Sequence, residues 1–160
     1  MTYIEKSLGD GERVVALAHF HWWYDVVSWL ELIVPAVLLI GVLLSVQDTN
    51  ARNAVSLAAL GLLALGFLAF LSRMIRKWTT EIGVTSHRFV MKTGFIRLKT
   101  NEIALPNIEG VRVVQSLWGR IWGYGHLRIE GTGVDAVELP TIGDPVGFRR
   151  AIETAKGIKS

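Results

Sequence analysis

His19 and His21 stand two residues apart, a spacing that on a strand would set both imidazoles on one face, able to share a metal ion. No carboxylate or third imidazole lies near them, and Trp22 and Trp23 follow at once, so the better account is a pair of side chains at the level of lipid head groups. Glu31 is the only acidic residue within the apolar runs of the chain. An ionisable group there is a functional candidate, because burying it uncompensated costs several kcal/mol. It lies about five residues from its helix start, roughly 8 Å deep at helical rise, within reach of head-group water. Contact between copies, or a relay, is its sharper use. A third cluster, Arg73, Arg76 and Lys77 followed by Trp78, closes the longest uncharged stretch. Each such cation beside an anionic leaflet is worth about 1 kcal/mol.

Covalent chemistry has little to work with. The sequence has no cysteine, which removes disulfides, thiolate metal sites and cysteine nucleophiles. It has no phosphate-cradling glycine motif before a helix, no helix-borne metal pair and no serine elbow, and the Gly-Thr-Gly at 131–133 falls in a turn between strands. The expectation is a protein that is not an enzyme, with no catalytic residue, metal, cofactor or small-molecule substrate.

The elements that carry these residues are set by composition. Apolar residues make up 51% of the 160-residue chain and mean hydropathy is +0.38, high for a soluble domain of this size. The excess is concentrated in residues 26–46, "VVSWLELIVPAVLLIGVLLSV", and residues 54–72, "AVSLAALGLLALGFLAFLS". The second holds nineteen residues without a charge, about 28 Å at helical rise and close to the roughly 30 Å hydrocarbon core of a bilayer. Both are expected to span a membrane as an antiparallel hairpin, joined by the short polar "QDTNARN" at 47–53. That connector carries Arg52 against Asp48, whereas the other side carries Lys6, Arg13, Arg73, Arg76 and Lys77, so the positive-inside tendency puts both termini in the cytoplasm. Trp22, Trp23, Trp29 and Trp78 are placed as interface anchors. Residues 1–20 contain Glu5, Asp10 and Glu12 and no apolar core, unlike a cleaved signal peptide.

Pro35 and Gly41 on the first helix, with Ala54, Ala58 and Gly61 on the second, are small or kinking. Spacings of four and three put Ala54, Ala58 and Gly61 on one side, where backbones can approach closely, first within the hairpin and alternatively between copies.

After Trp78 the period changes to two. Ile82 and Val84, Phe89 and Met91, and Leu127 and Ile129 alternate with neighbours of the opposite face. Gly94, Pro106-Asn107, Gly123, Gly125 and the 131–133 turn punctuate about six short strands between 79 and 139. Asp144-Pro145 then starts a helix, with Phe148, Ala151, Ile152 and Ala155 on one buried face and Gly157 at its end.

The blocks "VTSHRFVMKTGFI" (84–96), "ALPNIEGVRVVQSLWGRIWGYGHLRIEG" (104–131) and "IGDPVGFRRAIE" (142–153), preceded by "YIEKSLGDGERVVALAHFHWW" (3–23) and a two-helix hairpin, resemble the bacterial pleckstrin-homology-like family of membrane-anchored cytoplasmic domains. The resemblance implies an α+β protein: an N-terminal transmembrane α-helical hairpin, then a pleckstrin-homology-like antiparallel β-sandwich or partial barrel with a C-terminal capping helix. It does not imply an enzyme. That fold has seven strands and the count beyond Trp78 is six, so "ERVVALAHF" at 12–20 is expected to pair with the domain's sheet, an interfacial amphipathic segment being the alternative. The expected divisions are a cytoplasmic segment 1–25, a hairpin 26–72 and a cytoplasmic domain 73–160.

Two function classes follow, both at a bacterial plasma membrane. In one the protein is an assembly or scaffold module, a homo-oligomer or the partner of another membrane protein, with Glu31, Ala54, Ala58, Gly61, Trp118, Arg120, Trp122 and Tyr124 as contacts. The stretch "SLWGRIWGYG" at 116–125 belongs here, as a loop whose large apolar groups are expected chiefly in the core, with an exposed amphipathic patch as the alternative. In the other class the protein reads anionic lipids through Arg73, Arg76, Lys77, Arg88, Lys92, Arg97 and Lys99. Residues 73–160 carry fourteen Lys or Arg against eight Asp or Glu, a net +6, while residues 1–72 carry three against six, a net −3. Nucleic acid is not expected as the partner of this basic surface, given the membrane anchoring and the lack of a recognition helix.

Overall fold

The computed structural model of the chain describes residues 2–45 and 49–157. In chain order the elements are α1 (Tyr3–Lys6), β1 (Val14–Ala18), α2 (Trp22–Ser45), α3 (Thr49–Thr79), β2 (Glu81–Thr85), β3 (Arg88–Thr93), β4 (Lys99–Ala104), a 3₁₀ turn (Leu105–Asn107), β5 (Ile108–Val114), α4 (Leu117–Trp122), β6 (Tyr124–Gly131), β7 (Val134–Glu138), β8 (Ile142–Gly143) and α5 (Pro145–Gly157). They form two compact units: residues 23–77, and residues 1–22 together with 78–160.

The helical unit is an antiparallel pair. The expected connector begins outside the described residues, at 47 and 48, and from Thr49 onward it is already helix. Along α3 the less exposed positions include Ser56, Ala59, Leu63, Gly66, Phe70, Arg73 and Lys77, alternating three and four apart at the 3.5-residue period of a left-handed helix pair, with Ala69, Met74 and Thr79 beside them. Ser28, Glu31, Pro35, Leu39 and Val42 are the facing positions of α2. The seam is therefore not the Ala54, Ala58, Gly61 stripe expected to close the hairpin. Those three residues are exposed, with open space around the Gly61 Cα.

Close approach is made instead at Gly66. Pro35 has no N–H to give the carbonyl of Glu31 four residues earlier. Gly66 lies against that same carbonyl, where any Cβ would collide with it. Apolar side chains point outward: Leu44, Leu57 and Leu65 are among those exposed, and only 6% of the most apolar 18-residue window of each helix is buried. Helices of this length and hydropathy so poorly covered by protein are not the core of a soluble domain, and they are suited to a membrane.

The other unit is built on two antiparallel sheets, β1-β2-β3-β4 and β5-β6-β7, with β8 paired to β6. The segment before the hairpin supplies a strand, and with the two-residue β8 the unit has eight rather than seven: Ala16 lies opposite Val84 and Ala18 opposite Ile82, so β1 is the edge of the first sheet. Alternation places Ile82, Val84, Phe89, Met91, Leu127 and Ile129 in one buried core. Phe148, Ile152 and Ala155 of α5 close it. The Asp144 side chain accepts the Gly147 N–H at the start of α5, the expected cap.

Candidate functional site

Arg88, placed in advance among lipid contacts, is occupied within the domain. Its guanidinium meets the Glu12 carboxylate at 2.9 and 3.1 Å, Glu102 at 2.8 Å and the Ser7 carbonyl at 2.8 Å. Thr85 Oγ1 donates to the same Glu12 carboxylate at 2.5 Å. Burial raises the Glu12 carboxyl, but bonds from Thr85, the Gly9 N–H and Arg88 outweigh it and hold the group below the ordinary glutamate range. The bond to Glu12 in turn raises Arg88. This cluster latches the N-terminal segment onto the β2–β3 turn. It was missed in the sequence because Glu12 and Arg88 lie 76 residues apart.

Lys92 is also engaged, 3.6 Å from Glu81 and over the Tyr3 ring at 4.9 Å. Glu81 further accepts the Tyr3 N–H at 2.6 Å, and Ile4 beside it is fully buried. Within the helical unit Arg73 pairs with Glu31 at 2.8 Å, and Lys77 with Asp25 at 2.6 Å. Glu31 Oε1 makes that pair while Oε2 is buried with no hydrogen-bond partner. Arg76 is exposed, Trp23 is half-buried, and Trp29 is exposed with its ring 5.0 Å from Phe70.

Of the domain cations named from the sequence, Arg97 and Lys99 remain fully outside, neither in an ion pair among the described residues. They flank an unexpected feature. Between β3 and β4, Gly94 turns the chain at φ +103°, in the region glycine tolerates, and Phe95, Ile96 and Leu98 stand 73%, 92% and 59% exposed. The sequence signal was there: apolar residues at 95, 96 and 98 cannot share one face of a strand, so alternation fails at this point.

The stretch 116–125 differs from expectation twice. Residues 117–122 form a helix, capped by the Ser116 hydroxyl accepting the Gly119 N–H and ended by Gly123 in the left-handed region. Its inner face is Gly119, packed on the Tyr124 carbonyl with no room for a Cβ, so the large side chains cannot point inward. Leu117, Trp118 and Ile121 are 79%, 66% and 73% exposed, and Arg120 is exposed beside them, which overturns the core placement. Trp122 meets Trp22 edge-on at 5.3 Å, and half-buried Tyr124 lies 5.2 Å from the His21 ring.

The two histidines do not share a strand face. β1 ends at Ala18, and His19 offers its carbonyl to the Gly143 N–H. They line an open cleft of about 510 Å³ with Phe20, Asp144 and Phe148. A second cleft of about 760 Å³ lies between the edges of β4 and β7, lined by Asn101, Glu102, Asp135 and Val137. Among the described residues no three His, Asp or Glu side chains are grouped to hold a metal. What the domain offers is surface: an apolar loop flanked by Arg97 and Lys99, and an apolar helix.

One family profile, described as Bacterial PH domain, matches residues 14–150, from the first residue of β1 into α5 and across the helical pair. No curated protein and no solved structure matches the chain significantly.

Proposed function

From the chain's membership of the bacterial PH domain family, we propose that it is a non-catalytic membrane-anchored module whose work is assembly, with further copies of itself or with another membrane protein. The observation that carries this is the outward direction of Ala54, Ala58 and Gly61. The hairpin closes on Gly66, leaving Ala54, Ala58 and Gly61 exposed with open space at Gly61. In lipid, where apolar faces gain little from meeting each other, such a face allows a second helix to come close enough for dense packing.

The competing use, reading anionic head groups through a basic face, is weakened because Arg88 and Lys92 are already held by Glu12, Glu102 and Glu81. A domain with an apolar helical pair inserted in its own chain also needs no lipid affinity of its own to stay at the membrane. The cation count on the two sides of the hairpin favours both termini in the cytoplasm, and the family favours a bacterial plasma membrane.

The test is native mass spectrometry of the full chain extracted gently from its membrane, with every component identified. A discrete oligomer or a stoichiometric second protein is expected, lost on Ala58→Leu or Gly61→Leu. A monomer carrying only anionic lipid would overturn assembly.

A further inference from the structure

The exposed large apolar side chains of the PH unit are gathered at one end. Strand register defines it. Ala18, the last residue of β1, pairs with Ile82, the second of β2, and Glu81 pairs with Lys92 near the end of β3. Thr93 then pairs with Lys99 across the loop that bears Phe95, Ile96 and Leu98. This loop therefore shares a sheet end with the two points at which the chain passes to α2 and returns from α3. The connections are short: three residues separate β1 from α2, and Thr80 alone separates α3 from β2.

α4 joins the same region through the Trp22–Trp122 contact, with Leu117, Trp118 and Ile121 outward. At the opposite end of the first sheet, the β2–β3 turn and residues 104–110 expose no large apolar side chain, and Leu105 and Ile108 there are buried. Apolar exposure so one-sided, with cations interleaved, has the composition of a surface meant for the boundary between head groups and acyl chains.

We propose that this end of the domain is a lipid-contact surface. Phe95, Ile96 and Leu98 enter the interfacial layer of the bilayer, Arg97 and Lys99 sit at the level of the phosphates, and α4 lies on the same layer. The contact goes beyond the assembly function and is independent of it. It fixes which end of the domain faces the membrane, and it needs no head-group pocket, because the apolar side chains supply the attraction and the two cations favour anionic lipid.

The absence of cysteine from the sequence makes the test direct. Ile96→Cys and, at the far end, Asn107→Cys are made separately in the full chain, labelled with an environment-sensitive fluorophore and reconstituted in nanodiscs. One set is phosphatidylcholine alone, the other contains added phosphatidylglycerol. Both positions are exposed, so neither substitution disturbs the core. The label at 96 is expected to be quenched several-fold more by lipids brominated on their acyl chains than the label at 107, and to be protected from aqueous iodide. Quenching in both compositions makes the apolar side chains the main attraction, and quenching only with phosphatidylglycerol makes Arg97 and Lys99 the main one; either supports lipid contact. Equal iodide access at 96 and 107 would overturn it. So would protection from iodide at 96 without quenching by brominated lipid, since a protein would then cover the loop.

Discussion

The two units place the same kinds of side chain in opposite positions. In the helical unit the charged groups Glu31, Arg73, Asp25 and Lys77 meet along the seam and leucines face outward. In the PH unit Phe89, Val84 and Ile129 are fully buried while Arg112 and Arg128 face outward. The difference matches lipid surroundings for one unit and water for the other. Lipid solvates apolar side chains and leaves charges to satisfy each other, whereas water does the reverse. Among the described residues the PH unit departs from its own rule at the 94–98 loop, at α4 with Val114 and Val146, and at Trp22 and Trp78 beside the chain connections. A region that follows the helical unit's rule inside a domain that otherwise obeys water is what marks it for lipid.

The comparison breaks most sharply at the core. Phe89→Ala removes a fully buried ring and is expected to cost about 3–5 kcal/mol. Thermal unfolding of the full chain, followed by tryptophan fluorescence, should show the domain melting far earlier. Leu65→Ala removes a side chain 65% exposed on the hairpin and should leave that melting unchanged.

Ion pairs sharpen the contrast next. Glu31→Ala strands Arg73 within the helical pair, at an expected cost of about 2 kcal/mol, below the 3–5 of a fully buried pair because both side chains are partly exposed. The double variant Glu31→Ala/Arg73→Ala should recover part of the loss in unfolding by denaturing detergent. Arg128→Ala, which breaks an exposed pair with Glu138, should cost less than about 0.5 kcal/mol. Equal losses would remove the distinction between the two settings.

The latch at Glu12 comes next. Glu12→Gln loses the charge that Arg88 and Thr85 bind, an expected cost of about 1.5 kcal/mol. Because the folded carboxyl lies below its ordinary value, its stabilisation is complete at neutral pH and is lost as the pH falls through the folded value. Melting of the natural chain should therefore drop between roughly pH 5 and pH 3 more steeply than that of Glu12→Gln. Parallel curves would mean that the carboxylate contributes nothing.

What the sequence made legible is what repeats locally. Period-two runs and turn residues together located six strands, and apolar length located both long helices. The β-branched run before the hairpin pointed to a strand, and Asp144-Pro145 announced α5. Contacts across distance were not legible. Arg88 looked like one surface cation among several until Glu12, from the other side of the hairpin, was beside it. The small-residue stripe at Ala54, Ala58 and Gly61 fitted a helix interface as well as the real seam, and only the freed carbonyl above Pro35 favours Gly66. In 116–125 the glycines suggested a loop, although one of them is the inner face of a helix and another its terminator.

The smallest effect is the most informative about the exposed end. Ile96 is 92% exposed, so Ile96→Ser removes almost no buried area, and the melting of the full chain in detergent should change by less than about 0.5 kcal/mol. Ile129, also an isoleucine but fully buried, should cost several kcal/mol when changed to serine, since a cavity and an unsatisfied hydroxyl appear together. The same residue type thus has opposite weight in the fold. If Ile96→Ser does lower the melting point, Ile96 packs against the domain itself, and the apolar end belongs to the core rather than to lipid. If melting is unchanged while the domain's protection in a bilayer is reduced, the side chain has no role in the folded unit and a clear one at its boundary with the membrane.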